Sequence, residues 1–256
     1  MAYSYANILV ADIGDGVFNV QFNRPKQLNA ITMDLWREIG EVFTKLDTDD
    51  NCRAIILSGS GRAFTSGIDL RGFSTMLSAE INADRDAARK GRALLRLAEK
   101  MQAAFSSIEK CCKPVVAAIH AYCLGTEVAV GLATDVGTLN RLPKIVGNHS
   151  WVREACLTGL HFRGDEALQY GTSTMSLITN RAFFMDMQET ATAIATSSPV
   201  AVQGTKIVLN YARDHSVDDS LKFVAMWNMS QLQTDDIAES AVAVMTKGPK
   251  PLYAKL

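Results

Sequence analysis

A chain of 256 residues, 48% hydrophobic and 21% charged, has core enough for one large domain or two small ones. Its formal net charge of −1 supplies no general attraction to nucleic acid or to an anionic membrane surface, and no 18-residue apolar run is present to span a bilayer. The N-terminal M-A-Y-S-Y-A-N has neither a hydrophobic signal core nor an Arg-rich presequence, so the expectation is a protein that is not secreted. Cys52, Cys111, Cys112, Cys123 and Cys156 are odd in number and form no C-x-x-C pair, which points to buried free thiols in a reducing compartment. The four histidines (His120, His149, His161 and His215) are scattered, and a metal site is unsupported.

Residues 17–22 (V-F-N-V-Q-F) alternate apolar and polar, as a half-buried strand does, and N-R-P-K-Q-L-N-A (23–30) follows as a loop. A helix is expected from an N-cap at Thr32 to Leu46, with Leu35, Trp36, Ile39, Val42, Phe43 and Leu46 on one face. Ala54–Leu57 is a short unbroken apolar run, read as a buried strand, and S-G-S-G-R (58–62) is a turn. Residues 85–108 read as a long amphipathic helix with Leu94, Ala98, Met101, Phe105 and Ile108 inward. Residues 114–119 read as another buried strand. Strands that do not alternate, separated by helices, indicate an α/β fold with parallel pairing.

The last third reads as all-helical. Ser198-Pro199 is an N-cap followed by proline at the first helical position, and Ser216 with Asp219 forms a capping box that opens a helix with Leu221, Val224 and Ala225 inward.

Two segments carry candidate chemistry. In A-F-T-S-G-I-D-L (63–70), which follows a buried strand and a glycine turn, backbone N–H groups around Gly67 and Ile68 are free to aim at a developing oxyanion; the competing reading is an ordinary strand-to-helix turn. Glu127 and Asp135 stand eight apart in the apolar run E-V-A-V-G-L-A-T-D-V-G-T-L (127–139), where desolvation raises carboxylates toward the range of a general acid or base. The competing reading there is a pair of solvated loop carboxylates.

The motifs N-R-P-K-Q-L-N-A (23–30), S-G-S-G-R-A-F-T-S-G-I-D-L (58–70) and K-P-V-V-A-A-I-H-A-Y-C-L-G (113–125) resemble, in order and spacing, the crotonase (enoyl-CoA hydratase/isomerase) superfamily. The segments 130–148, S-P-V-A-V-Q-G-T-K (198–206), Y-A-R-D-H-S-V (211–217) and W-N-M-S-Q-L-Q-T-D-D (227–236) look like its Δ3,5-Δ2,4-dienoyl-CoA isomerases. The resemblance covers nearly the whole chain, 172–190 excepted. It implies a crotonase-like α/β spiral of ββα units over residues 1–190 and a helical oligomerisation region with a targeting tail over 191–256. It further implies a homotrimer or dimer of trimers, acyl-CoA substrates, and no cofactor beyond the CoA of the substrate. Carried over residue by residue, Ile68 is one oxyanion donor within the Ser66-Gly67-Ile68-Asp69-Leu70 turn, and Gly125 begins the segment of the second. Glu127 and Asp135 are the proton shuttle, and Lys26 and Gln27 match positions that touch the CoA nucleotide. His120 and the vicinal Cys111-Cys112 are read as structural.

The chain departs from this pattern after Gly125. The family continues with two more glycines, a helix carrying a third acid, and a strand, whereas Thr126-Glu127 follows here at once, about twenty residues early. A parallel crossover needs a dozen or so residues, and only seven separate Ile119 from Glu127. Either the sequence skips a loop the protein contains, the reading that intact flanks favour, or the shortening is real and costs half the oxyanion hole. The function expected is a dienoyl-CoA isomerase of fatty-acid β-oxidation; the alternatives are a 2-enoyl-CoA hydratase and, with a real shortening, a weakened CoA-binding crotonase. Ala254-Lys255-Leu256 resembles the peroxisomal S-K-L address on an extended tail, which points to a peroxisomal location and an import receptor as partner.

Overall fold

The computed structural model describes residues 2–121, 138–158, 162, 164–173 and 180–256. Four strands, β1 (Ile8–Asp12), β2 (Val17–Phe22), β3 (Ala54–Gly59) and β4 (Val115–Ala117), lie in the order β1-β2-β3-β4. β1 and β2 form an antiparallel hairpin with Ile8 opposite Phe22, and β2–β3 and β3–β4 pair in parallel. The first crossover is α1 (Met33–Asp47); the second is α2 (Leu70–Asn82) with α3 (Ala87–Lys110).

Side-chain alternation sorts the strands onto two faces. Phe18, Val20, Phe22, Ile55 and Leu57 join the apolar stripe of α1 and Met101 and Ala104 of α3 in the main core. Val17, Ala54 and Ile56 face the other way, onto Met187, Ala191 and Ala195 of α7 (Asn180–Ala195). That second face explains why β3 is apolar without a break: both its sides are covered. The polar pair on it is matched, Ser58 Oγ donating to Asn19 Oδ1 at 2.8 Å. Phe43 is fully buried, so its loss alone would cost about 3–5 kcal/mol.

The α1 expectation holds in full. Thr32 accepts from Leu35 N at 3.3 Å, and all six of the named apolar residues are buried. Trp36 locks α1 to α3, donating from Nε1 to the Met101 carbonyl at 2.7 Å with its ring edge-on to Phe105. The one buried charge of α1, Glu38, accepts from the backbone of Ala6 and Asn7 and from Asn7 Nδ2, which pins the segment leading into β1.

The remaining helices are α4 (Thr138–Ile145), α5 (His149–Thr158), α6 (Gly164–Gln169), α8 (Pro199–Asp214), α9 (Val217–Gln231) and α10 (Asp235–Thr246). Leu142, Val146, Trp151, Val152, Ala155 and Cys156 make a separate core under α4 and α5, with Tyr170 stacked on Trp151. Arg141 ties that unit to Glu109 and Ser106 of α3. Ser198 caps α8 as expected, through Ala201 N at 3.2 Å, and Ser216 caps α9 through Asp219 N at 3.2 Å.

Four expectations are corrected. β4 is half-buried to exposed rather than buried, as suits a strand with a neighbour on one side only among the described residues. Ala98 is exposed and Ala104 buried, because α3 rotates its stripe toward Trp36. Leu221 and Ala225 of α9 are also exposed, while Phe223 and Trp227 face α8. The Ser216 hydroxyl, rather than its backbone N–H, reaches the Asp219 carboxylate.

Candidate active site

Two loops at the C-terminal ends of β2 and β3 are held together by Asn29. Its side chain is fully buried: Nδ2 donates to the carbonyls of Ser60 (2.9 Å) and Ala63 (2.8 Å), and Oδ1 accepts from Arg24 N at 2.8 Å. Leu28 and Asn29 both have left-handed φ (51° and 55°), which turns the first loop back on itself after the single 3-10 turn Pro25–Gln27. Asparagine tolerates that conformation better than most residues. Thr65 completes the joint, its hydroxyl donating to the Asn29 carbonyl at 2.8 Å and accepting from Gly67 N at 3.1 Å. Gly59 is required where β3 ends, since a Cβ there would stand 2.5 Å from the Phe64 carbonyl.

From this joint the chain runs through Ser66-Gly67-Ile68-Asp69 into α2. Gly67 has φ of 80°, a conformation glycine adopts without strain. Ile31 and Ile68 form a parallel bridge in which Ile31 N donates to Gly67 O (2.8 Å) and Asp69 N donates to Ile31 O (3.0 Å). Both bonds use the neighbours of Ile68. Its own N–H points away from Ile31 and has no acceptor among the described residues. Asp69 caps α2 through Gly72 N at 3.1 Å, and Leu70, the first residue of that helix, is half exposed. The cap fixes the direction in which the Ile68 amide leaves the turn.

Lys26 and Gln27 are exposed on the 3-10 turn beside it; Ser66 N donates to Leu28 O at 2.8 Å, so the two loops travel together. Of the residues expected in the site, Lys26, Gln27, Ser66, Gly67, Ile68, Asp69 and Leu70 are thus brought to one end of the sheet. Gly125, Glu127 and Asp135 lie outside the described residues. Asn29 and Thr65, the hub of the site, are not among the expected residues. Their signal is weak: an Asn before a helix cap and a Thr before S-G are common loop residues.

His120 has the structural part expected of it: Nε2 lies 3.1 Å from the Gly61 carbonyl, and its own carbonyl accepts from Phe64 N. Burial pushes the thiols of Cys111 and Cys112 up to about 11 and about 12, so neither serves as a nucleophile near neutrality. Among the described residues no group of three or more His, Cys, Asp or Glu is gathered to hold a metal.

The family profile described as enoyl-CoA hydratase/isomerase matches residues 12–139, a stretch that begins at the end of β1 and includes both site loops. The chain is 43% identical to the mitochondrial Δ3,5-Δ2,4-dienoyl-CoA isomerase of Mus musculus, over 96% of this chain and 81% of the relative. The chain belongs to the enoyl-CoA hydratase/isomerase family. The peroxisomal Δ3,5-Δ2,4-dienoyl-CoA isomerase of Arabidopsis thaliana is 36% identical over the full chain and 99% of its own length. The crystal structure of enoyl-CoA hydratase from Bacillus anthracis superposes with a TM-score of 0.83 at 22% identity, covering 96% of this chain and 98% of that one, which establishes the crotonase fold.

The alignment with the Arabidopsis relative is 277 positions long and takes in this whole chain of 256 residues, so about 21 positions, the difference between the two, face no residue here. That matches the size of the segment missing from the family pattern.

Proposed function

We propose that this crotonase-family protein isomerises 3,5-dienoyl-CoA to 2,4-dienoyl-CoA. The observation that carries the reading is the Ile68 N–H, left without an acceptor among the described residues at the end of a turn set by Asn29, Thr65 and Gly67. A thioester oxygen seated on that donor draws charge as the C2 proton leaves, and hydrogen-bond donors placed in advance are a large catalytic term. One of Glu127 and Asp135 takes the proton from C2 and the other delivers a proton to C6, so that the double bonds move from C3 and C5 to C2 and C4. No other reactant is consumed and no cofactor beyond the substrate's own CoA is needed. Lys26 and Gln27, exposed beside the turn, are assigned to the nucleotide of CoA. The two relatives compared by sequence carry the name of this activity.

The test is isomerisation by Glu127→Gln and Asp135→Asn chains, followed through the absorbance of the conjugated 2,4-dienoyl thioester. Each is expected to lose about 10²-fold or more in kcat; undiminished turnover overturns the assignment. A real shortening after Gly125 would favour a second reading, a CoA-ester-binding protein with weakened chemistry, because losing one oxyanion donor costs about 10²–10³ in rate. Tight binding of a dienoyl-CoA without turnover by the unaltered chain would decide for it. Hydration is the less favoured chemistry, and water addition to a 2-enoyl-CoA would decide for that.

Residues 1–190 are assigned the chemistry and 191–256 the assembly of a homotrimer or dimer of trimers. In support, α9 buries no residue, and Leu209, Met226, Met229, Leu232, Val244 and Met245 are each at least 64% exposed. A cleft of about 560 Å³ opens between α8, α9 and α10, with Trp227 Nε1 buried beside Gly204 and without an acceptor among the described residues. Ala254-Lys255-Leu256 is assigned as a peroxisomal address; a fluorescent fusion at the N-terminus that leaves peroxisomes when Leu256 is removed would support it, and an unchanged distribution would overturn it.

A further inference from the structure

The residues that follow α10 run back along the domain, held at Lys250 and then at Tyr253, Ala254 and Lys255. Lys250 Nζ donates to Thr196 Oγ1 and Ser197 Oγ, both at 3.1 Å, just beyond α7. The Tyr253 hydroxyl meets Ser240 Oγ of α10 at 2.8 Å. Arg53, immediately before β3, then takes the main chain itself: Nη2 donates to the carbonyls of Tyr253 (2.6 Å) and Ala254 (3.1 Å), while Nη1 donates to the Ala195 carbonyl that ends α7 (3.3 Å). Lys255 reaches Asn51 Oδ1.

The arginine is not a loose surface side chain. Its stem lies on Gly16, where a Cβ would come within 3.0 Å of Arg53 Cγ, and Gly16 has φ of 75°. Its backbone N–H donates to Gly16 O at 2.8 Å. With the stem fixed, the guanidinium presents its donors in one place, and planar donors of this kind lose little freedom on engaging several acceptors. The side chains of the last three residues remain in solvent, Leu256 being 53% exposed, and Leu252 is 99% exposed. The tripeptide therefore exposes its side chains, the Lys255 ammonium resting on Asn51, while the carbonyl of its first residue is occupied.

We propose that Arg53 is a latch on the Ala254-Lys255-Leu256 tripeptide, which an import receptor must displace before it can grip the extended main chain. This rests on the reading of that tripeptide as a peroxisomal address. A binding-competent tail that is populated only in part weakens apparent affinity by its fractional population. Removing the latch raises that fraction without changing a residue the receptor touches.

The experiment measures binding of the purified peptide-binding domain of a peroxisomal import receptor to the full chain, with melting curves as a check on folding. Arg53→Met is expected to bind about tenfold more tightly than the unaltered chain, and Tyr253→Phe, which spares Arg53, two- to threefold more tightly. Deleting Leu256 should abolish binding in every chain. Equal affinities for the unaltered and Arg53→Met chains, both lost with Leu256, overturn the latch and leave the address standing. No binding by any chain overturns the address and the latch with it. Should Arg53→Met melt early, Tyr253→Phe alone decides, and an affinity equal to that of the unaltered chain counts against the latch.

Discussion

Thr65 and Asn29 are bonded across the mouths of two strands, the Thr65 hydroxyl donating to the Asn29 carbonyl at 2.8 Å with no access to water. Neither residue does chemistry, yet the bond sets the position of the Ile68 amide three residues on. Replacing Asn29 by Ala would strand the carbonyls of Ser60 and Ala63 and the amide of Arg24. Three such losses amount to about 2–4 kcal/mol. Urea unfolding of Asn29→Ala should show that decrease in stability with an unchanged slope, and dienoyl-CoA turnover should fall with it.

Gly67→Ala separates the chemistry from the fold. An L side chain at φ of 80° costs about 1–2 kcal/mol, which the domain tolerates. The strain is relieved by rotating the peptide that carries the Ile68 N–H. The expected result is a loss in kcat of at least about tenfold with KM nearly unchanged, the pattern of a contact made in the transition state. A variant with normal kcat would show that this amide is not an oxyanion donor.

The N-terminal segment should open at both ends of the pH scale. The Tyr3 hydroxyl donates to Asp49 Oδ2 at 2.6 Å. Burial tends to raise the Asp49 carboxyl, but the bonds from Tyr3 and Asn51 outweigh it and hold it below its ordinary value. Burial and the Asp49 charge push the Tyr3 phenol well above its own. A depressed carboxyl stabilises the fold above about pH 4 and ceases to do so as pH falls through its folded value; a raised phenol stabilises below about pH 10 and ceases as pH rises through its folded value. The protection of the Ala6 and Asn7 amides, measured against the unprotected exchange rate at each pH, should therefore fall outside that window. Tyr3→Phe should lose the alkaline limb, and an unaltered alkaline limb would refute the pairing.

Assembly through the C-terminal helices is open to a charge test. Leu232→Lys and Met229→Glu place charges on side chains that are 64% and 74% exposed, so the monomer fold should be spared. Light scattering should find the unaltered chain as a trimer or hexamer and the variants as smaller species. Variants that keep the parent mass would move the interface elsewhere.

The sequence showed helix α1 down to its cap because six apolar residues and one threonine agreed, and it showed β2 because alternation was clean. β1 was hidden: I-L-V-A-D does not alternate, and its nearest signal was Asp15-Gly16, a hairpin dipeptide that closes the turn with φ of 55° and 75°. α2 was hidden for another reason. It buries no residue fully, and its apolar positions Leu70, Phe73, Leu77 and Ile81 were passed over, with Asp69 as the cap that marks its start. In the site, Ile68 was legible through the S-G-I-D turn, whereas Asn29 acts through a partner more than thirty residues away, which local pattern does not reveal. α9 misled because its apolar residues are spread around its surface, most of them facing outward.

The three tryptophans fall in three different packing units: Trp36 in the main core against Phe105, Trp151 under Tyr170 in the α4–α5 unit, and Trp227 against Gly204 between α8 and α9. Each is thus a native optical reporter on a different cooperative block. Chains that keep one tryptophan apiece would separate, by emission alone, the order in which the sheet, the middle helices and the C-terminal helices come apart.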